Sequence, residues 1–351
     1  MRIAAKGEQM TENGKKLAGG IIRTVVKLFI AAAIVFWFFH KHLRAAWYEM
    51  GDFNFLCLVP ALILTFISTW VISIRWRDLA RTSGVALSDS KAFSLTMQGI
   101  FFSLVIPGGA IGGDVVKMAA LSGHIKQGTR TEGFFSIFMD RLVGMLALFL
   151  VAPVLLFCSR PLFSGISFDM VPWLSGNLLW WMLMGICVAG LFAGAALLMH
   201  RQVEKFPGIG KLLDFADRRS NGRIARAFSA ADRCAAQKER LIFWIVMTIF
   251  FVHLFPVVIM YIVLTGIGIF GAVLPVATAV VMGNIAGLIP VFPGGIGGRD
   301  VVTVALLASA GYPVDEVTAA QLFCTLLMVV FNLSGALFFI CDRKNPGVQH
   351  E

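Results

Sequence analysis

Long apolar segments dominate this sequence and limit what it can fold into. A helix needs about 20 mostly apolar residues to cross a bilayer, because its backbone polar groups find no water there and must bond within the segment. The stretches that meet this length are 21–39, 53–74, 134–158, 177–199, 241–265 and 317–340. The sequence therefore predicts an all-α integral membrane protein with about six spanning helices.

Composition and charge agree with a membrane environment. Hydrophobic residues make up 58% of the chain and charged residues only 14%, whereas soluble domains carry about 25% charged residues. The net charge of +10 arises in loops beside the apolar segments, which predicts attraction to anionic lipid headgroups and excludes a nucleic-acid partner. The six cysteines show neither metal-ligand nor disulfide spacing, so we expect no metal and no cofactor.

Two further apolar regions, 92–121 and 272–311, are each interrupted by a proline–glycine run, and their halves are short for a full crossing. Basic residues flank the first region on both sides, whereas the flanks of the second contain no Lys or Arg. Each region is then predicted to be a re-entrant helical hairpin, the first entering from the cytoplasm and the second from outside. In an alternative topology each of the four half-segments crosses the membrane. The loops then lie on the same sides of the membrane, so the charge distribution leaves this alternative open.

The distribution of Lys and Arg also predicts the orientation of the chain. Basic residues precede segment 21–39, and the loop 200–240 is the most basic part of the sequence. We therefore expect both termini to lie in the cytoplasm. No small-residue cleavage site follows segment 21–39, which favours a retained first helix over a removed signal peptide.

The two interrupted regions contain copies of one motif. Residues 107–116 read "PGGAIGGDVV" and residues 293–302 read "PGGIGGRDVV", with the same spacing from proline to aspartate. Because the two hairpins are expected to enter from opposite sides, the motif predicts an inverted-topology repeat within a single transmembrane domain, with halves 1–158 and 159–351. Such repeats are typical of transporters, whose substrate site lies near the middle of the membrane.

The motif predicts a site for an anion between the hairpins. Glycines can adopt the backbone angles of a tight reversal, and a helix that starts behind them presents free N–H groups to a negative ligand. Asp114 and Asp300 are expected near these helix starts, as substrate contacts or only as helix caps. Lys117 and Arg299 would add full positive charge. The glycines proposed for the site are Gly108, Gly109, Gly294 and Gly295.

Asp140 and Arg141 stand inside the third spanning segment. Arg141 could extend to the membrane interface, but two adjacent charges do this less easily than one. We favour pairing with the first hairpin, either Asp140 with Lys117 or Arg141 with Asp114. Uncharged polar residues within the apolar segments, such as Asn284 and Gln321, are expected to bond between helices.

These motifs resemble the lysylphosphatidylglycerol synthase transmembrane, or flippase-like, family. Its members read approximately Pro-Gly-x-x-Gly-Glu-x-x-Arg, then Glu-Arg-Leu, then Pro-Gly-Gly-x-Gly-x-x-Glu, and the likeness extends over nearly the whole chain. Asp114, Asp140 and Asp300 stand where glutamate is usual in the family, and Lys117 stands where arginine is usual. The resemblance implies a membrane protein that translocates lipids, without the aminoacyl-transferase domain that some members carry.

The sequence therefore predicts a flippase of a bacterial inner membrane that moves an anionic or phosphate-bearing lipid, either a phospholipid or a polyprenyl-phosphate derivative. No motif of a hydrolase, metalloprotease, P-loop or dinucleotide enzyme is present, so we expect no catalytic activity. Two alternatives stay open: a secondary transporter for a small soluble anion, and a non-catalytic membrane partner of a lipid-modifying enzyme. The oligomeric state is not predicted.

Overall fold

The computed structural model describes residues 53–106, 110–123, 125, 130–164, 175–198, 232, 236–289 and 295–344. In these parts of the chain the structure is helical and contains no strand, as predicted. The helices are α1 (Leu58–Thr82), α2 (Asp89–Val105), α3 (Ala110–Ser122), α4 (Arg130–Cys158), α5 (Pro161–Ser164), α6 (Gly176–Leu198), α7 (Lys238–Thr248), α8 (Phe255–Gly266), α9 (Val273–Gly287), α10 (Gly298–Ser309), α11 (Val314–Leu333) and α12 (Gly335–Lys344).

Within the described residues, five helical stretches are long and apolar enough to cross a membrane. They coincide with five of the predicted segments, and the other one, 21–39, lies outside the described residues, as does most of the loop 200–240. The multi-pass helical membrane architecture is therefore confirmed. The five stretches are Phe55–Thr82, Arg130–Cys158, Gly176–Leu198, Lys238–Gly266 and Val314–Asp342.

The two interrupted regions each form a pair of short helices that pack on each other. Helices α2 and α3 have 17 and 13 residues, and helices α9 and α10 have 15 and 12, all below the roughly 20 residues of a full crossing. Gly113 of α3 lies against the backbone of Gly99 in α2, and Gly283 of α9 lies against Thr303 in α10. The interruption of both regions is confirmed, and their re-entrant topology stays a prediction.

Helix α2 begins with a capped N-terminus close to the end of α1. Ser88 accepts a hydrogen bond from the Lys91 amide at 3.2 Å and satisfies a free N–H of the first turn. The adjacent Asp89 accepts a hydrogen bond from Arg77, which lowers the pKa of the Asp89 carboxyl below its ordinary value. The Arg77–Asp89 contact thus joins the last turns of α1 to the start of α2.

The main apolar core lies between α4, α6, α8, α9, α10 and α11. Leu156, Met260 and Leu307 are fully buried in it. Large apolar side chains also stand on the outer surface, for example Phe157 and Phe192, which are 76% and 72% exposed. Hydrocarbon solvates such side chains, so the exposed surface agrees with a helix bundle in lipid.

A segment of π-helix, Ile249–Leu254, joins α7 to α8. Pro256 follows it and removes one backbone donor, while its ring would press on the carbonyl group one turn earlier. A wider turn relieves that crowding. The π-segment directs His253 inward, where its Nε2 lies 3.0 Å from the carbonyl oxygen of Gly144 in α4. The histidine is thus a packing contact between two spans.

Candidate functional site

Charged side chains of α1, α3 and α4 meet in a group that we call the first cluster: Arg75, Asp114, Lys117, Asp140 and Arg141. Its most buried contact is the ion pair of Arg75 Nε with Asp140 Oδ1 at 2.7 Å, in which both residues are about 5% exposed or less. The same guanidinium donates from Nη1 to Thr248 Oγ1 of α7 at 2.7 Å.

The second ion pair of the first cluster joins α4 to α3. Arg141 donates from Nε and Nη2 to the two carboxylate oxygens of Asp114, at 2.7 and 2.8 Å. This two-pronged geometry confirms the predicted pairing of Arg141 with Asp114. The direct ion pair of Asp140 is with Arg75, and Asp140 faces Lys117 as a nearby opposite charge without a direct ion pair.

Lys117 completes the first cluster without a carboxylate partner among the described residues. It is 5% exposed, and its Nζ lies 3.6 Å from the centroid of the Trp76 ring. The indole is fixed by a hydrogen bond from its Nε1 to Ser136 Oγ at 3.2 Å. A cation–π contact with a tryptophan face is favourable, but it does not cancel the charge.

The two motif aspartates have different structural roles. Asp114 was a candidate helix cap, but α3 already begins at Ala110, so Asp114 stands inside the helix and binds Arg141 instead. Asp300 does cap its helix: its Oδ2 accepts a hydrogen bond from the Gly297 amide at 2.9 Å. One predicted cap is therefore wrong and the other is confirmed.

We call the contacts around Asp300 the second cluster. Besides the Gly297 amide, its carboxylate accepts hydrogen bonds from Gln321 Nε2 at 2.7 Å and Thr325 Oγ1 at 2.9 Å. Arg299 Nη2 lies 3.2 Å from the same carboxylate and also donates to Thr325. The Arg299 and Asp300 charges thus balance each other, and the carboxylate is fully bonded.

A partly open cavity of about 290 Å³ lies beside the second cluster. Arg299 is the charged residue in its described wall, which otherwise combines apolar side chains with hydroxyls and amides. Asn284 and Gln321, expected to bond between helices, both face this space. The wall consists of Thr65, Ser68, Thr69, Ile72, Ile100, Pro256, Ile259, Met260, Val280, Asn284, Arg299, Thr303, Gln321, Cys324, Leu327, Met328, Phe331 and Asn332.

One face of α1 connects the cavity with the first cluster. Residues three or four positions apart share a helix face, and Thr69 and Ile72 of the cavity wall are followed at this spacing by Arg75 and Trp76. The rise of about 1.5 Å per residue puts Arg75 roughly one turn from the wall. The first cluster and the cavity therefore lie along a single helix.

Of the four glycines predicted for the two turns, Gly295 lies in the described part of the chain. Gly295 has a φ of +77°, in the left-handed region that favours glycine, and a side chain there would press on Gly287 of α9. Its role as a turn residue is thus supported by the backbone. Gly108, Gly109 and Gly294 lie outside the described residues.

Sequence reasoning missed Arg75, Trp76 and Thr248. Arg75 is one of the basic residues that flank region 92–121, and it opens the run "RWRDLAR" at the end of an apolar segment, which predicts a cytoplasmic position. In the structure α1 continues through this run to Thr82, and Arg75 is only 4% exposed. The sequence did contain a signal for this position. Arg75 and Trp76 follow Ser68 and Thr69 by seven residues, which is two helical turns, so they continue the polar face of α1.

Comparison with known proteins agrees with this architecture. The family model described as the lysylphosphatidylglycerol synthase TM region matches residues 24–335, which include both clusters and the cavity wall. A "UPF0104 membrane protein" of Methanothermobacter thermautotrophicus is 21% identical over 264 residues, which cover 72% of this chain and 75% of that protein.

Proposed function

The chain belongs to the lysylphosphatidylglycerol synthase transmembrane-region family, and from this premise we propose that it translocates an anionic or phosphate-bearing lipid across a bacterial inner membrane. The observation that carries the proposal is the cavity beside Arg299, whose wall contains residues of both short-helix pairs, Ile100 from the first and Asn284 from the second. A path for a polar headgroup between these pairs requires such a space.

The size of the cavity suits a headgroup. Small-molecule sites usually measure about 300–1,000 Å³, and at about 290 Å³ this cavity has room for a phosphate and a small substituent. Long acyl or prenyl chains would remain in the surrounding lipid, next to the apolar outer surface. Only the headgroup would then need protection from hydrocarbon during transfer.

The wall offers hydrogen-bond donors that match a phosphate. Arg299 is 18% exposed at its side chain, and guanidinium groups bind phosphate oxygens in a two-pronged geometry. The side-chain amides of Asn284 and Asn332 also stand in the wall. A phosphate there would replace water contacts with fixed donors in a medium of low polarity, where such bonds are strong.

The proposed mechanism uses opposed hairpins. We propose that α2–α3 enters the membrane from the cytoplasm and α9–α10 from outside, as the re-entrant elements of the inverted halves 1–158 and 159–351. The equal spacing within the motif copies and the short, closely packed helices support this. Alternate opening of the two pairs would expose the cavity to each leaflet in turn.

We propose transport without covalent chemistry, with both termini in the cytoplasm. Movement would follow the lipid gradient or be driven by an ion, and Asp114, Asp140 and Asp300 are the carboxylates available for coupling to protons. In this mechanism the two clusters hold the hairpins in place and compensate the charge of the headgroup. The mechanism involves no cofactor.

A lipid-scrambling assay tests the proposal. Proteoliposomes with fluorescent phosphatidylglycerol are treated with an impermeant quencher, and the transfer rate of the wild-type protein is compared with that of Arg299→Ala, Arg299→Lys and Arg130→Ala. Arg130 is an exposed residue at the start of α4 and serves as the charge-matched control. We expect a fall of about tenfold or more for Arg299→Ala, since the charged donor of the cavity wall is lost, and near-normal rates for the control.

Three other outcomes of this experiment would contradict the proposed site or the proposed function. Undiminished transfer in a folded Arg299→Ala protein would overturn the site. Saturable uptake of a soluble anion without lipid transfer would favour a secondary transporter. Absence of any transfer together with stable co-purification of a lipid-modifying enzyme would favour the role of a membrane partner.

A further inference from the structure

Most polar side chains in the cavity wall already form hydrogen bonds inside the protein. Thr65, Thr69 and Thr303 donate to backbone carbonyl oxygens one helical turn earlier, at 2.8, 3.0 and 2.9 Å. Gln321 donates from Nε2 to the Asp300 carboxylate at 2.7 Å. The donors of these four wall residues are therefore occupied within the protein.

Three polar side chains of the wall differ from this group. Ser68 of α1, Asn284 of α9 and Asn332 of α11 all line the cavity. Each is partly exposed, and none forms a side-chain hydrogen bond within the part of the chain that the structure describes. An unpaired amide or hydroxyl in an apolar medium costs free energy, so these three groups are available to a polar ligand.

The Asn284 amide also contributes no bond between helices. The sequence predicts such bonds for Asn284 and Gln321, and Gln321 of α11 does reach Asp300 of α10. For Asn284 the prediction is not met among the described residues. The contact of α9 with α10 is made instead by its neighbour Gly283, which lies against Thr303. The amide thus lines the cavity without a structural partner there.

The three groups match the hydroxyls of a ligand. A carboxamide presents an acceptor oxygen beside an NH₂ donor, and a hydroxyl both donates and accepts. Two neighbouring hydroxyls of a glycerol or a sugar can therefore bond one asparagine, one donating to its oxygen and the other accepting from its nitrogen. The oxygens of a phosphodiester only accept, and would leave the amide oxygens of Asn284 and Asn332 unpaired. All three groups are neutral, so they recognise hydroxyls and not charge.

From these observations we propose that the cavity recognises hydroxyl groups next to the phosphate of a lipid headgroup, through Asn284 and Asn332 with Ser68 as a third contact. The inference rests on the proposed function and specifies its substrate class as lipids whose headgroup contains a polyol, such as glycerol or a sugar. A cavity of about 290 Å³ has room for a group of this size. The preference sets no condition on an amine elsewhere in the headgroup.

Two lipids that differ only in headgroup hydroxyls test the proposal. Phosphatidylpropanol has the charge and the headgroup carbon chain of phosphatidylglycerol but lacks both hydroxyls, and phospholipase D makes both lipids from one fluorescent parent. Transfer is measured in proteoliposomes with an impermeant quencher, and the rate in protein-free liposomes is subtracted. The wild-type protein should transfer phosphatidylglycerol at least about tenfold faster, because the propyl group leaves the amides unpaired. Equal rates would overturn the proposal, and this comparison needs no variant.

Substitution of the asparagines locates the preference. Leucine is close to asparagine in size and lacks the amide, so the double variant Asn284→Leu/Asn332→Leu should bring the two lipids within about twofold of each other. Asn177→Leu changes an exposed asparagine in the first turn of α6 and should retain the preference. An unchanged preference in the double variant would contradict the assignment to these residues.

Thermal unfolding distinguishes ligand binding from a structural role. Leucine removes unpaired polar groups from a largely apolar wall, so the double variant should melt no lower than the wild-type protein. A lower melting temperature would show that the amides are bonded within the protein, and would contradict their availability to a ligand.

The same probes separate this inference from the proposed function. If the wild-type protein transfers both lipids at equal rates, hydroxyl recognition fails and lipid transport stands. If it transfers neither lipid, calorimetric titration with glycerophosphoglycerol, which keeps the hydroxyls and has no acyl chains, decides. Binding that is lost in the double variant would then support the hydroxyl site while lipid transport fails. Absent binding, or equal binding to both proteins, would overturn the hydroxyl site as well.

Discussion

Arg75 of α1 and Asp140 of α4 form a buried ion pair with an Nε–Oδ1 distance of 2.7 Å, although they are 65 residues apart in the sequence. The Arg75 guanidinium also bonds Thr248 of α7 at 2.7 Å. One side chain thus joins three spans at the depth of the first cluster. Because charged groups bond strongly in a medium of low polarity, this contact fixes the relative positions of the helices that hold Lys117 and Trp76.

We expect removal of one partner of this pair to destabilise the protein strongly. Arg75→Met removes the direct ion-pair partner of the buried Asp140 carboxylate, a change that costs about 3–5 kcal/mol in comparable sites. The double variant Arg75→Met/Asp140→Leu removes both charges and should recover most of the loss, because apolar replacement of a whole buried pair is close to neutral. Thermal unfolding in detergent measures both. A single variant as stable as the double one would contradict this account.

The close contact between α2 and α3 predicts that alanine at Gly113 lowers stability strongly, whereas alanine at Gly185, outside this contact, does not. An alanine at Gly113 would drive its Cβ into the carbonyl oxygen of Gly99 and against Ser103, so the two helices would have to separate. At Gly185 of α6 an added Cβ meets nothing within 4 Å. Gly113→Ala should therefore lower the melting temperature and the transfer rate.

Gly185→Ala is the matched control. It should be neutral or slightly stabilising, because alanine favours a helix over glycine by up to about 1 kcal/mol. Equal behaviour of the two variants in thermal unfolding would show that the α2–α3 contact does not limit stability.

The sequence predicted the spans well because crossing a membrane requires long apolar segments, and that requirement is visible residue by residue. It also identified Arg141 with Asp114, since two opposite charges within neighbouring apolar elements need each other. It did not identify Arg75 as the partner of Asp140, because such a pair depends on which helix faces pack together. The role of Asp300 as a helix cap could be predicted from the local spacing of the motif. The same spacing was misleading for Asp114, because α3 starts earlier in the motif than α10 does and Asp114 therefore lies inside the helix.

The cavity can be probed through a thiol of its own wall. Cys324 of α11 lines the cavity, whereas Cys187 of α6 is completely buried in the apolar core. We compare two variants that each keep one of these cysteines and have alanine at the other cysteine positions. A small water-soluble methanethiosulfonate reagent should label Cys324 at least about tenfold faster than Cys187, because reaction of a thiol requires access.

Short-chain phosphatidylglycerol should slow the labelling of Cys324, and the attached group should inhibit lipid transfer by occupying the space of the headgroup. Labelling of Cys324 as slow as that of Cys187 would mean that water does not reach the cavity, and a headgroup would then have no route through it.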